Sequence, residues 1–253
     1  MEKRKFMKAM LVCTGILVSS LTVLAQDAKP ANDAGDTLSK DLTFYAPLDG
    51  SIDAAVAAGA KSPTVNKETK FVEGKFGKGV ELKDKAQLYY SGDSNLNISE
   101  GTVAFWVKRN EKWSGDKGYI LFKAAVADWN KSSLYLMVTE WNQLRAWIFT
   151  DDGKQNLQMS PNGIPYVGNE WYHLAMTFKD GSVKIYVNGA EISYGPEKCD
   201  PMMVMPTGIA KNIQFGSDYD GAKLNGVMDE LRIYKRILSA DEIKKLYGFV
   251  PGK

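Results

Sequence analysis

The 253 residues include one histidine, His173, and two cysteines, Cys13 and Cys199, so the His-Cys sets that hold zinc cannot be assembled. A Ser-His-Asp arrangement would have to use His173. The carboxylates of Asp229 and Glu230 are adjacent, and neighbours on a strand point to opposite faces, so the pair is not expected to act together on one bond. Asp229 shares its expected face with Leu231 and Ile233, and a carboxylate among inward residues must find a cation or several hydrogen-bond donors. Recognition by aromatic faces is the chemistry with more support. Trp and Tyr rings stack on sugar rings while Asn, Asp and Arg hydrogen-bond the hydroxyls. Trp106, Tyr135 and Trp147 are the candidate platforms on strands, Arg145 is a flanking donor, and Trp129 in the loop Asp128-Trp129-Asn130 adds another platform. The same tryptophans would also serve to pack a sheet against long loops.

Short strands must position these side chains. From Leu42 onward, apolar alternations are separated by Gly, Asn, Asp and Pro, the pattern of an antiparallel sandwich or jelly roll. Alternation places Val103, Phe105 and Val107 on one face, with Ala104, Trp106 and Lys108 opposite. Leu134, Leu136, Val138, Leu144, Ala146 and Ile148 read as inward, leaving Tyr135, Met137, Arg145, Trp147 and Phe149 opposite. Tyr172, Leu174, Met176 and Phe178 read as inward, with His173 and Thr177 opposite; if these strands share a sheet, its second face carries several aromatics. Asp180-Gly181 and Asn188-Gly189 are tight-hairpin dipeptides, so Trp171–Tyr194 reads as a three-strand meander. Ser239-Ala-Asp-Glu242 is a capping box, Ile243, Leu246 and Tyr247 form a stripe, and Gly248 is the expected stop of one short C-terminal helix. The stretch 198–207, with two prolines and three methionines, reads as an irregular covering segment with Cys199 as a buried small hydrophobe.

The chain carries 32 Lys and Arg against 30 Asp and Glu, which leaves no basic footprint for nucleic acid. Lys3, Arg4, Lys5 and Lys8 precede an apolar run from Ala9 to Leu24, so residues 1–25 read as a secretory signal peptide and no membrane span is expected in the mature chain. Residues 26–41 mix Pro, Gly and small polar side chains and read as a flexible leader. One domain is expected over 42–250, without an intramolecular disulfide, since Cys199 is then the remaining cysteine.

Six stretches in order carry a resemblance. They are Phe44-Tyr-Ala-Pro-Leu-Asp-Gly50, Gly74-Lys-Phe-Gly-Lys-Gly-Val-Glu-Leu82, Gly101–Lys108, Glu170–Phe178, Val183–Gly189, and Gly226-Val-Met-Asp-Glu-Leu-Arg-Ile-Tyr-Lys-Arg-Ile-Leu-Ser239 with its helix. Together they resemble the LamG-like domain of the concanavalin A-like lectin/glucanase superfamily. The resemblance implies an all-β jelly roll, two antiparallel sheets of which one is concave, and places His173 in a structural strand. Glucanases of this fold use Glu-x-Asp-x-x-Glu on one strand, and that spacing does not occur here, which argues against catalysis. Many members hold a structural calcium, and the corresponding positions are Asp49, the carbonyls around Gly77, and Asp229. The alternative is that Asp229 accepts hydrogen bonds from amides of the loop 74–79, with Glu230 pairing Arg232 or Arg236 at the surface. The expected function is a secreted, periplasmic or cell-surface non-catalytic module binding an extracellular glycan or protein. A passive envelope module is the alternative, and a glycan-active enzyme lacking the usual carboxylates is less favoured.

Overall fold

The computed structural model describes residues 38–110, 118–126, 130–159, 167–192, 194, 200–216 and 224–251. The expected signal peptide, residues 26–37 of the leader, Trp129 and Cys199 lie outside the described residues.

The first strands are β1 (Leu42–Ala46), β2 (Val56–Ala57), β3 (Val65–Lys67), β4 (Lys70–Glu73), β5 (Lys78–Leu82), β6 (Gln87–Ser91), β7 (Gly101–Arg109) and β8 (Tyr119–Ala125). There follow β9 (Ser133–Val138), β10 (Leu144–Phe149), β11 (Gln155–Met159), β12 (Trp171–Lys179), β13 (Ser182–Val187), β14 (Ala190–Glu191), β15 (Asn212–Phe215), β16 (Gly226–Tyr234) and the helix α1 (Ala240–Gly248). They form two antiparallel sheets, as expected of a β-sandwich. The nine-stranded sheet runs β14-β13-β12-β7-β16-β1-β2, with β5 on β16 and β4 on β5; the seven-stranded sheet runs β11-β10-β9-β8-β15-β6-β3. The inner sets expected from alternation, Val103/Phe105/Val107, Leu134/Leu136/Val138 and Leu144/Ala146/Ile148, are buried together between the sheets. Phe215 gathers Tyr90, Phe105 and Phe122 around it in that core.

A second apolar layer lies on the outer side of the nine-stranded sheet. Ala104 and Ala175, directly paired, make a low floor on which Ile243, Leu246 and Leu238 pack. Leu38 is 6% exposed in this layer, and Asp41 pairs with Lys235 and Arg236. Within the expected leader, Leu38 thus has an apolar layer to enter and Asp41 is ion-paired, whereas Ser39 and Lys40 are exposed.

Local chemistry sets the connections. Asn188 and Gly189 both have positive φ, as a type I′ turn needs. At Asp180-Gly181 only the glycine does, and Asp180 Oδ1 instead accepts the Met205 amide at 2.7 Å. The segment 200–211 forms no strand, yet its side chains alternate: Met203 and Met205 are buried, Met202 and Val204 exposed. The capping box at Ser239 and Glu242 is formed as expected. The helix runs through Gly248, and Phe249, in extended conformation, is its C-cap.

Candidate functional site

Pairing separates the expected aromatic platforms. Trp106 is on β7 of the nine-stranded sheet, whereas Tyr135, Arg145 and Trp147 are on β9 and β10 of the other. Since both sets face outward, they lie on opposite sides of the sandwich and cannot line one groove. Parity within β7, β9 and β10 was legible; which of these strands share a sheet was not. Trp106 is 4% exposed, edge-on to Phe76 and His173, tilted against Tyr247, and covered by Lys75 Nζ at 4.3 Å. It is a packing residue under α1.

Tyr135, Arg145 and Trp147 are brought together. Trp147 and Tyr135 are direct cross-strand partners with ring centroids 6.2 Å apart, and Phe149 stacks on Trp147 at 4.7 Å. The Arg145 guanidinium lies 5.7 Å from the Trp147 ring, and the Trp147 indole N–H donates to Gln155 Oε1 at 3.3 Å. Tyr135 is nearly buried, while Trp147 and Arg145 each keep part of their surface accessible. Following the register outward from Trp147 gives one row across the sheet: Trp147, Tyr135, Lys123, Gln214, Tyr89, Val65. Lys123 Nζ lies 5.4 Å from the Tyr135 ring. Lys123 was missed in the sequence because a bulge between Ile120 and Phe122 breaks the alternation of β8. A lysine inside Tyr119-Ile-Leu-Phe-Lys-Ala-Ala was the available signal.

The candidate metal positions also meet, around the turn joining β4 and β5. Along β16 the register shifts between Asp229 and Arg232, and Glu230 has φ of 56°. This bulge lies where β16 changes partner, from β5 over Gly226–Met228 to β1 beyond it. It overturns two expectations. Asp229, paired with Trp106, faces outward, whereas Leu231 and Ile233 face the core. Glu230 is on the outer side as well, accepting from Tyr45 Oη at 3.1 Å and paired with Arg232, so the two carboxylates share a face. Glu230 is buried with its arginine rather than at the surface.

Asp229 Oδ2 accepts the amides of Lys75 and Phe76 at 2.8 and 3.0 Å, Oδ1 accepts that of Glu230 at 2.8 Å, and Asp49 Oδ1 accepts that of Lys78 at 2.6 Å. Gly77 has φ of 54°, and a Cβ there would collide with the Asp49 carboxylate, so glycine is required twice over. The turn thus aims N–H groups, the wrong pole for a cation, at both carboxylates, and the Gly77 carbonyl accepts from the Gly74 amide. Among the described residues no three His, Cys, Asp or Glu side chains gather as a metal set. As arranged, these groups fall short of the roughly six to eight oxygens calcium takes. Burial pushes the Asp229 carboxyl up to about 7, with neighbouring Glu230 adding to the rise and the amides opposing it. The same burial holds His173 down at about 3, and its Nδ1 has no hydrogen-bond partner among the described residues.

Comparison with known proteins fits this architecture. Over 203 residues the chain is 28% identical to the human (Homo sapiens) adhesion G-protein coupled receptor D1, covering 72% of this chain and 21% of the receptor, so it spans about a fifth of that relative's length. Among solved structures, domain 4 of AbnA, a GH43 extracellular arabinanase from Geobacillus stearothermophilus in complex with arabinotriose, superposes with a TM-score of 0.61 at 21% identity, covering 82% of this chain and 98% of that one. The binding domain of Paraclostridial Mosquitocidal Protein 1 gives 0.64 at 18% identity, covering 83% of this chain and 52% of that one. The receptor binding domain of the botulinum neurotoxin C/D mosaic serotype gives 0.65 at 14% identity, covering 82% and 51%. At these identities the structures establish the shared fold. A family profile matches residues 83–244, from β6 into α1, and on that match the chain belongs to the Concanavalin A-like lectin/glucanases superfamily, in its Laminin_G_3 branch.

Proposed function

We propose that this protein is an exported, non-catalytic carbohydrate-binding module whose site is the outer face of the seven-stranded sheet. The observation that carries this is the Trp147–Tyr135 pair, a tilted aromatic surface that stays partly open beside Arg145. An aromatic face of this kind supplies apolar contact to a sugar ring, and the adjoining guanidinium supplies donors to its hydroxyls. Export is read from the charged and apolar run in residues 1–25, and among the described residues no helix is long and apolar enough to cross a membrane. The arabinanase domain in complex with arabinotriose and the two binding domains named above share this architecture, which supports the reading.

The test is Trp147→Ala in a binding and an unfolding measurement. If Trp147 is a platform, a bound oligosaccharide shifts tryptophan fluorescence, and the variant binds about 1–3 kcal/mol more weakly while unfolding cooperatively. A stability loss of about 3–5 kcal/mol, or no ligand across a broad glycan panel, would assign Trp147 to packing and leave a protein-binding or passive role.

A further inference from the structure

At its edge, the aromatic surface around Trp147 meets a cavity. Past Phe149 the chain turns through Thr150–Lys154 into β11, and the segment 200–205 lies against that turn, so that about 510 Å³ is enclosed between them. A space of this size suits a small ligand. One wall is the turn together with Gln155 and Asn156, and the other is Asp200 with Met202–Met205.

Hydrogen bonds tie the two walls together. Asn156 Oδ1 accepts the Asp200 amide at 3.0 Å, and Asp151 accepts both the amide and the hydroxyl of Thr207, at 3.2 and 2.6 Å. The segment is also fixed from behind, where the Gly181 amide donates to the Met203 carbonyl at 2.8 Å and the Met205 amide to Asp180 at 2.7 Å. A cavity whose shape is set before binding spares its ligand the cost of ordering it.

The walls differ as the two aspects of a sugar ring differ. Met202 and Val204 present exposed apolar groups on one side. On the other, Gln155 and Asn156 each give the carboxamide oxygen to the protein, Gln155 to the Trp147 indole N–H and Asn156 to the Asp200 amide. Their NH2 groups have no hydrogen-bond partner among the described residues, which leaves both as donors for ligand hydroxyls. Gln155 also locates the cavity, since its Oε1 lies 3.3 Å from the Trp147 indole nitrogen. Leu157 is the cross-strand partner of Trp147, so Gln155 and Asn156 stand within two residues of that register, roughly 7 Å along the strand. That is an offset adjoining units of a sugar chain can bridge.

We infer that this cavity is a second sugar subsite, holding the unit next to the one stacked on Trp147. Gln155 and Asn156 donate to its hydroxyls, and Met202 and Val204 cover its apolar face. This rests on the carbohydrate-binding reading above. It makes the ligand an oligosaccharide rather than a single sugar, and Asn156 a residue that sets specificity.

The test titrates the full exported chain calorimetrically with arabino-, xylo- and cello-oligosaccharides of one to six units. Within a series that binds, the trisaccharide should bind at least about tenfold more tightly than the single sugar. Val204→Arg changes an exposed position and sets a guanidinium among Asp151, Asp152 and Asp200, filling the cavity. It should bring the trisaccharide back to the affinity of the single sugar. Asn156→Asp keeps the acceptor for the Asp200 amide while removing the donors, and should weaken the trisaccharide about tenfold. Melting temperatures of both variants separate loss of the subsite from unfolding. Affinity independent of length, or trisaccharide binding that both variants retain and Trp147→Ala loses, would overturn the subsite and leave the carbohydrate reading standing. Absence of binding in all three series would overturn both.

Discussion

Asp229 and His173 flank Trp106 on the outer side of the nine-stranded sheet, each its direct partner on a neighbouring strand. Burial displaces them in opposite senses, Asp229 up to about 7 and His173 down to about 3. The signs follow from proton uptake. Folded Asp229 holds a proton that unfolded Asp229 has lost, so its contribution is greatest below its ordinary value of 3.8 and is lost as pH rises through about 7. Folded His173 refuses a proton that the unfolded chain takes up, so its contribution is present above its ordinary value of 6.5 and is lost as pH falls toward 3. Between about pH 4 and 6.5 the two slopes oppose each other, each worth about 1.4 kcal/mol per pH unit. Relative to the parent, Asp229→Asn should therefore become more stable as pH rises across this window, and His173→Gln less stable. Urea melts at pH 4.5 and pH 6 read the difference directly; two variants with parallel pH profiles would refute the opposition. The burial of Asp229 was legible in the sequence although its face was not, whereas that of His173 was not legible, since it depends on what covers the outer side of β12.

At the scale of elements, the turn between β4 and β5 and the bulge in β16 form one device. Where β16 exchanges β5 for β1 its ladder is interrupted, and Asp229 takes up the amides of Lys75, Phe76 and Glu230 in the gap. With N–H groups turned toward both carboxylates, EDTA should leave the melting temperature unchanged. A fall on chelation that Asp229→Ala abolishes would instead establish calcium at Asp49, Gly77 and Asp229, since a ligand confined to the folded state stabilises it by mass action. The helix α1 was legible to its cap because capping is local chemistry: Ser239 and Glu242 exchange hydrogen bonds three residues apart. Glu242 also takes a fork of two bonds from Arg236, at 2.9 and 2.6 Å, which holds its carboxyl down at about 2. Ser239→Ala should cost about 1 kcal/mol in chemical denaturation. No measurable change would show that packing on Ala104 and Ala175 alone fixes the helix. The bulges in β8 and β16 escaped the sequence because each adds one residue to a strand, so strict alternation assigns the residues beyond it to the wrong face.

For the molecule as a whole, the family motifs and the alternation of the unbulged strands pointed to the two-sheet architecture, while the grouping of Trp106 with Trp147 failed. Alternation reports which side of its own strand a residue occupies, and membership of a sheet is decided by long-range pairing such as β7 with β16. The same long-range pairing brings the two described extremities side by side: Leu38 and Ser39 line one cavity of about 270 Å³ with Phe249 and Pro251, and Arg232 and Tyr45 also contribute to its wall. The order in which the strands are threaded is consequently separable from the architecture they build. A circular permutant that splices Pro251 to Leu38 through a short flexible linker and opens the exposed loop at Asp84–Lys85 should keep its β-type circular dichroism and a single cooperative melt. A molten or aggregated product would show that folding depends on β1 being present at the start of the chain.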